Sequence, residues 1–210
     1  MRKLIIDADT GSDDAVALVM AIRNLPKESI LGITIAAGNV PLKQGISNAL
    51  YVNELCDTNI NVYAGESAPM YRPYIELDNM EQATAHALSE DPASSSAQYV
   101  HGADGLGDIG LEPKNKDYSD ITAIDFYREI LKKNTDIEIV ALGPLSNIAR
   151  LVEEEPKLLG SIKHCYIMGG CSNGVGNITK TAEYNFWVDP EAADIVLRSE
   201  IPITVIGWDP

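Results

Sequence analysis

The sequence predicts an α/β fold with an open, mainly parallel (Rossmann-like) sheet that carries helices on both faces. Apolar runs of strand length alternate with helix-like segments along most of the chain, and this order is typical of parallel sheets. The runs are continuously apolar, as expected for strands that are buried on both sides. The 210 residues, of which 45% are hydrophobic, suit one domain with a sizeable core. We therefore expect residues 1–210 to form a single domain.

The first third of the chain contains three predicted strands and two predicted helices. A strand at 4–7 leads into an acidic turn and then into an almost wholly apolar helix that extends to about Asn24. A β-branched strand at 30–37, a helix at 42–56 and a short strand at 60–64 follow.

Residues 66–120 are less regular. They include a serine-rich segment at 94–96 and the glycine-rich run HGADGLGDIG at 101–110. Such a long connection in a compact domain predicts functional loops and a flap.

Regular alternation of strands and helices returns after residue 120. The sequence predicts a helix at 121–133, a strand at 137–142, a helix from Gly143 to about Glu155 with Pro144 in its first turn, a strand at 164–168, a loop at 171–188, a helix at 190–198 and a strand at 203–206.

The acidic turn carries four carboxylates, Asp7, Asp9, Asp13 and Asp14, within eight positions and without a basic residue. Crowded carboxylates resist full ionisation, and a helix N-terminus offsets only about 0.3–1 kcal/mol for each charge. A hard divalent cation, Ca²⁺ or Mg²⁺, would neutralise the cluster, because it prefers oxygen ligands. The alternative is a cluster of solvated acids at the N-terminus of the helix.

Several polar groups are predicted to meet at one edge of the sheet. In open α/β sheets, ligands bind outside the carboxyl ends of the strands. The residues expected there are Asp7, Asp9, Asn39, Leu142, Met168, Trp208 and Asp209.

The composition argues against some classes of partner and says little about small neutral ligands. The net charge is −15, which argues against binding to nucleic acids or anionic membranes. The three cysteines are scattered, and no apolar run is long enough to span a bilayer. The N-terminus does not resemble a signal peptide. We therefore expect a cytoplasmic protein with reduced thiols.

Two sequence motifs offer alternative interpretations to the cation site. The run GLGDIG at 105–110 fits a dinucleotide-binding pattern, but no clear strand precedes it and no helix follows it. The acidic turn also resembles the first motif of the haloacid-dehalogenase phosphatases, in which the first Asp is the nucleophile. That family needs a further acidic pair late in the chain, and the pair Asp13 and Asp14 comes too early for it.

A set of motifs resembles the inosine–uridine type of nucleoside hydrolases. The motifs occur in family order: DADTGSDDA at 7–15, AGN at 37–39, ALGPLSN at 141–147, MGG at 168–170 and AEYNFWVDPEAA at 182–193. The resemblance implies the nucleoside hydrolase fold, a tightly held Ca²⁺ and hydrolysis of ribonucleosides to free base and ribose. It also implies a role in nucleoside catabolism and salvage, and assembly into dimers or tetramers.

The resemblance also implies roles for individual residues. Asp9, Asp14 and the Leu142 carbonyl would bind calcium, Asp13 would take a proton from a calcium-bound water, and Asp7 would support the cluster. The implied substrate-binding residues are Asp13, Asn39, His101, Met168, Asn177, Glu183 and Asn185, with His101 near the base. The alternatives are that the two asparagines of the 171–188 loop form turns, that Glu183 is a solvated acid and that His101 is an exposed loop residue.

The chain departs from the family pattern in two ways. It has Thr10 where the family usually has proline, which affects the stiffness of the turn more than its chemistry. The family sequence also continues beyond residue 210 with a His–Asp pair that contributes to the metal and base sites. We therefore expect a truncated nucleoside hydrolase with a partial, weaker metal site, and whether it is active or inactive alone stays open. A non-catalytic module that binds calcium and ribose is the alternative, and the preference between purines and pyrimidines stays open.

Overall fold

The computed structural model describes residues 2–72, 74–75, 94–95 and 97–209. The strands are β1 (Lys3–Ala8), β2 (Ile30–Ile35), β3 (Val62–Ala64), β4 (Tyr74–Ile75), β5 (Ser94–Ser95), β6 (Ile137–Ala141), β7 (Ile162–Met168) and β8 (Ile203–Ile206). The helices are α1 (Ser12–Asn24), α2 (Leu42–Leu55), α3 (Gln98–His101), α4 (Ala123–Lys133), α5 (Ser146–Glu154), α6 (Tyr184–Val188) and α7 (Pro190–Leu197). Short 3₁₀ segments occupy Lys27–Ser29 and Pro156–Ser161.

Six of these strands form one parallel sheet in the order β3-β2-β1-β6-β7-β8. The central strand β1 pairs with β2 on one side and β6 on the other, so Asp7 lies level with Thr34 and Ala141. The chain reverses its direction of winding between β1 and β6, and open α/β sheets bind ligands at such a point. The predicted α/β class is confirmed.

Alternate residues of β1 point into two separate hydrophobic clusters. Ile5 packs with Tyr127 of α4 and with residues of α5 and α7. Ile6 packs on the opposite face with Leu18 of α1 and Ile46 of α2. Helices therefore cover both faces of the sheet at its centre, which explains why the strands are apolar on both sides.

Several predicted element boundaries shift by a few residues, and the two short helices α3 and α6 were not predicted. Helix α1 ends at Asn24 as predicted, whereas α5 begins at Ser146, so Pro144 precedes the helix instead of occupying its first turn. The predicted loop at 171–188 contains α6, which begins after Glu183. The Glu183 carboxylate accepts hydrogen bonds from the backbone N–H groups of Asn185 and Phe186. This cap stabilises a helix of five residues, which is too short to show a helical period in the sequence.

The irregular region between residues 66 and 120 is described in part. The expected flap falls partly on residues 73, 76–93 and 96, which lie outside the described residues. Helix α3 and the glycine-rich loop at 102–110 are described. None of the helices in the described ranges combines the length and the apolar character that a membrane crossing needs.

Gly65 follows β3 where the structure has no room for a side chain. A Cβ atom there would overlap Asn147 Oδ1 and lie 2.5 Å from the Ile35 carbonyl oxygen. We expect Gly65→Ala to lower the free energy of unfolding by about 1–3 kcal/mol, because the overlap has to be relieved by movement of packed groups. Urea unfolding measures the change. Gly160→Ala is the matched control, since a Cβ atom there meets nothing within 4 Å. Equal losses in the two variants would contradict the prediction.

Candidate functional site

The acidic turn connects the end of β1 to the start of α1. Gly11 is the N-cap residue of α1, and its backbone N–H donates a hydrogen bond of 2.9 Å to Asp14 Oδ2. A Cβ atom on Gly11 would lie 2.7 Å from Asn39 Nδ2. The turn therefore packs directly against the segment that follows β2, which brings the two strand ends together.

Asp7 lies at the bottom of the site and is completely buried. Its Oδ2 atom accepts hydrogen bonds from the Thr34 hydroxyl, from Asn147 Nδ2 at 2.9 Å and from the Tyr127 hydroxyl at 3.3 Å. Burial raises the pKa of Asp7 to about 6, and these three donors lower it only partly. Its Oδ1 atom is buried without a hydrogen-bond partner among the described residues. Asp7 is thus held within the core by its hydrogen bonds to three neighbouring elements.

Asp9 and Asp14 form a buried pair above Asp7, with exposed fractions of 0% and 4%. Asn39 connects them, because its Nδ2 atom lies 3.3 Å from Asp9 Oδ1 and 3.2 Å from Asp14 Oδ2. The Asn39 backbone N–H also donates to Asp9 Oδ2 at 2.5 Å. Burial raises the pKa of both carboxyl groups, and repulsion from neighbouring acids raises it further.

Asp13, unlike this pair, is exposed. Its side chain is 75% exposed, and its Oδ1 atom lies 3.9 Å from His101 Nδ1. The four acids of the turn therefore divide into three buried carboxylates and one that faces outward. The alternative of a cluster of solvated acids is wrong for Asp7, Asp9 and Asp14.

The glycine-rich loop lies against the acidic turn. Asn48 of α2 is almost completely buried, and its Nδ2 atom donates to the carbonyl oxygens of Thr10 and Asp104, both at 2.9 Å. His101 precedes the loop, and its side chain is only 11% exposed, so it is not an exposed loop residue. Asn48 is not among the predicted site residues, although an amide between apolar positions of a helix indicates a buried polar group whose partners the sequence does not identify.

Asn185 organises the opposite side of the same edge of the sheet. Its Nδ2 atom donates to the Leu142 carbonyl at 2.8 Å and to the Met168 carbonyl at 3.2 Å. Glu183 is 2% exposed and accepts hydrogen bonds from the backbone N–H groups of Gly170 and Asn185 at 2.8 and 2.9 Å. Burial raises the pKa of Glu183. Glu183 is thus not a solvated loop acid.

Tyr184 joins the two sides of the site, and the sequence analysis did not identify it. Its hydroxyl donates to the Gly38 carbonyl at 3.1 Å, and its backbone N–H donates to Asn177 Oδ1 at 2.8 Å. Asn177 itself is exposed.

Asp209 follows β8, and its carboxylate accepts hydrogen bonds from the backbone N–H groups of Ser172 and Asn173. Asp209 therefore fixes the loop after β7.

The pair of Asp9 and Asp14 has the chemistry of a site for a hard cation. No group of three His, Cys, Asp or Glu side chains within the described ranges is arranged to hold a metal. The candidate ligands that the family resemblance implies are the two carboxylates and a main-chain carbonyl, that of Leu142. Asp9 lies beside the Leu142–Gly143 peptide, since a Cβ atom on Gly143 would lie 2.6 Å from Asp9 Oδ1. Two buried carboxylates whose described donors are neutral amides fit a divalent cation such as Ca²⁺.

Comparisons with known proteins agree with this arrangement. The family model described as inosine-uridine preferring nucleoside hydrolase matches residues 4–210. The chain is 36% identical over 209 residues to the pyrimidine-specific ribonucleoside hydrolase RihB of Escherichia coli. This alignment covers 99% of the chain and 60% of RihB.

Solved structures give the same result. The purine-preferring ribonucleoside hydrolase from Gardnerella vaginalis aligns with a TM-score of 0.82 and 32% identity, over 98% of this chain and 60% of that protein. An inosine-guanosine nucleoside hydrolase aligns with a TM-score of 0.81 and 29% identity, over 99% of this chain and 60% of that protein. The chain thus spans about 60% of the length of the relatives that it matches.

The raised pKa values of the buried acids predict that stability depends on pH and on calcium. Between the ordinary carboxyl pKa of 3.8 and the raised value of about 6 for Asp7, the folded chain binds more protons than the unfolded chain. With a chelator, the free energy of unfolding should therefore fall as the pH rises through this window. Saturating Ca²⁺ should raise the melting temperature by roughly 5–10 °C at about pH 8 and by less at about pH 5, where protons compete with the ion.

Thermal unfolding followed by circular dichroism measures both effects. Asp14→Asn should reduce the calcium shift, whereas Asp136→Asn should keep it, because Asp136 is exposed and precedes β6 at the opposite edge of the sheet. If calcium raised the melting temperature at pH 8 equally in both variants, Asp14 would not be a calcium ligand.

Proposed function

The chain belongs to the inosine-uridine preferring nucleoside hydrolase family, and we propose on this basis that it hydrolyses the N-glycosidic bond of ribonucleosides to free base and ribose. The observation that carries the proposal is the buried pair of Asp9 and Asp14 at the carboxyl end of the central strand. The pair lies on the same edge of the sheet as the amide and carboxylate groups of Asn39, Glu183 and Asn185. Together they offer oxygen and amide groups for a polyhydroxylated sugar beside a site for a cation.

Cleavage of an N-glycosidic bond develops positive charge on the sugar ring, as in O-glycoside hydrolysis. The neighbouring carboxylates stabilise that charge, because the site is buried and electrostatic interactions are stronger there than in water. The buried Glu183 is held by backbone N–H groups, so its carboxylate keeps one orientation. Asn39 is fixed by Asp9 and Asp14 in the same way. These groups, with Asn177, Asn185 and Met168, form the proposed sugar site.

Asp13 is the proposed general base. Asp9, Asp14 and the Leu142 carbonyl would hold Ca²⁺, and this ion would make a bound water more acidic and orient it for attack. The Asp13 carboxylate is exposed next to the buried pair, so it can accept a proton from an attacking water without being constrained by burial. His101 lies beside Asp13, and its proposed role is to contact the base of the substrate.

The phosphatase alternative is wrong. Asp7 would be its nucleophile, but Asp7 is completely buried, and its Oδ2 atom accepts hydrogen bonds from Thr34, Asn147 and Tyr127. A buried, hydrogen-bonded carboxylate cannot reach a phosphate ester in solvent. The family match over residues 4–210 also assigns this turn to a different family.

Incubation of the purified chain with inosine and with uridine, in calcium and in chelator, tests the proposal. The relatives named above include pyrimidine-specific and purine-preferring enzymes, so both nucleosides are needed. We expect release of free base that depends on calcium, measured by liquid chromatography. Calcium-dependent binding of ribose without release of base would support the non-catalytic module instead. The proposal for this chain would be contradicted if the chain neither bound ribose nor released free base.

Replacement of the proposed base separates catalysis from folding. Asp13→Asn should lower kcat by about 10²-fold or more, because the variant cannot accept the proton. The exposed position predicts that the variant still folds and still responds to calcium, with a melting temperature that does not fall, because the substitution removes only the repulsion between Asp13 and the buried pair. Asp136→Asn removes the same charge at the opposite edge of the sheet and should keep kcat. Equal turnover in the two variants would show that Asp13 is not the base.

A further inference from the structure

Ser12 contacts His101, and the residue roles that the family resemblance implies for the acidic turn do not include Ser12. It is the first residue of α1 and lies between the glycine cap and Asp13. Its Oγ atom lies 2.8 Å from His101 Nδ1, which is hydrogen-bonding distance. Asp13 Oδ1 is 3.9 Å from the same nitrogen, which is too far for a hydrogen bond. The hydroxyl of Ser12 is therefore the group that directly engages the imidazole ring.

The loop that follows His101 is anchored independently of Ser12. Asn48 donates to the Asp104 carbonyl, and the backbone N–H of Gly107 donates to the His101 carbonyl at 2.7 Å. Gly105 adopts a positive φ of 74°, and a Cβ atom there would lie 2.6 Å from Val40. The backbone around His101 is thus held close to the turn without Ser12. Ser12 can therefore affect only the orientation of the imidazole ring and which ring nitrogen carries the hydrogen.

We propose that Ser12 is a positioning residue that donates its hydroxyl hydrogen to His101 Nδ1 and thereby keeps the ring hydrogen on Nε2. A neutral imidazole carries a donor on one nitrogen and an acceptor on the other. In this tautomer Nδ1 accepts a hydrogen bond from the hydroxyl of the exposed Ser12. The proposed tautomer satisfies both groups and leaves Nε2–H free to donate.

The consequence for catalysis rests on the proposed function. When the N-glycosidic bond breaks, its electron pair moves to the leaving base. An Nε2–H group held near that base can donate a hydrogen bond to the negative charge that develops there, and no proton has to be transferred. Ser12 would thus act through His101 on departure of the base, while Asp13 acts on the attacking water.

Nitrogen-15 NMR of the histidine rings tests the tautomer without any assay of activity. The chain contains three histidines, at positions 86, 101 and 164, and His101→Gln assigns the signal of His101. We expect the shifts of an Nε2–H tautomer in the parent chain, a change toward a mixture in Ser12→Ala, and recovery in Ser12→Thr. A parent ring that carries its hydrogen on Nδ1, or a ring unchanged in Ser12→Ala, would overturn the proposal.

Kinetics test the catalytic consequence separately. Ser12→Ala should lower kcat for inosine or uridine by about tenfold with little change in KM, since one oriented hydrogen bond is lost. The loss should be smaller for an aryl riboside, whose leaving group needs no hydrogen bond. Ser161→Ala, at the amino end of β7, is the matched control and should leave kcat unchanged.

The two experiments separate the possible failures. An equal loss of kcat for the nucleoside and the aryl riboside would overturn the role of Ser12 in departure of the base. The NMR experiment would then still decide the tautomer of His101. A parent chain that releases no base at all would contradict the proposed function, whereas the NMR result would still decide the contact between Ser12 and His101.

Discussion

The structure depends on one electrostatic constraint, which is the burial of three carboxylates at the carboxyl end of the central strand. Asp7, Asp9 and Asp14 are each less than 5% exposed, and their described donors are neutral amide and hydroxyl groups. Such an arrangement raises the pKa of each acid and disfavours the charged form. Other features of the site follow from it. A Cβ atom on either Gly38 or Gly143 would collide with the Asp9 carboxylate, so glycine at both positions is required to keep that carboxylate in place.

The three buried acids differ in the groups that stabilise their charge. Asp7 is surrounded by fixed donors on α4, α5 and β2, and this network continues into the hydrophobic core through Tyr127. Asp9 and Asp14 repel each other and share the single amide of Asn39. Neutral donors stabilise the single carboxylate of Asp7, whereas two neighbouring carboxylates also need a shared proton or a positive charge. The pair is therefore the part of the cluster that a cation would complete.

The sequence predicts the fold and the location of the site better than the orientation of its side chains. Continuous apolar runs identify the strands, and the positions of Asp9 and Asn39 after two of them predict that they meet. The sequence does not show that Asp13 is exposed while its neighbour Asp14 is buried, because that depends on the phase at which α1 starts after Gly11. Asn48 and Tyr184 contribute contacts between elements distant in sequence, and no local pattern indicates such partners. Helix α6 was missed because its stability depends on the Glu183 cap and on packing.

The Leu142 carbonyl connects the two halves of the site. It accepts a hydrogen bond from Asn185, and it lies next to Gly143, which packs against Asp9. A carbonyl oxygen has two lone pairs, so it could accept from Asn185 and also bind a cation. A cation on this oxygen would weaken its hydrogen bond to Asn185, because both draw on the electron density of the same atom. The proposed cation site and the proposed sugar site would therefore share one backbone carbonyl, and a ligand in one would change the hydrogen bonding in the other.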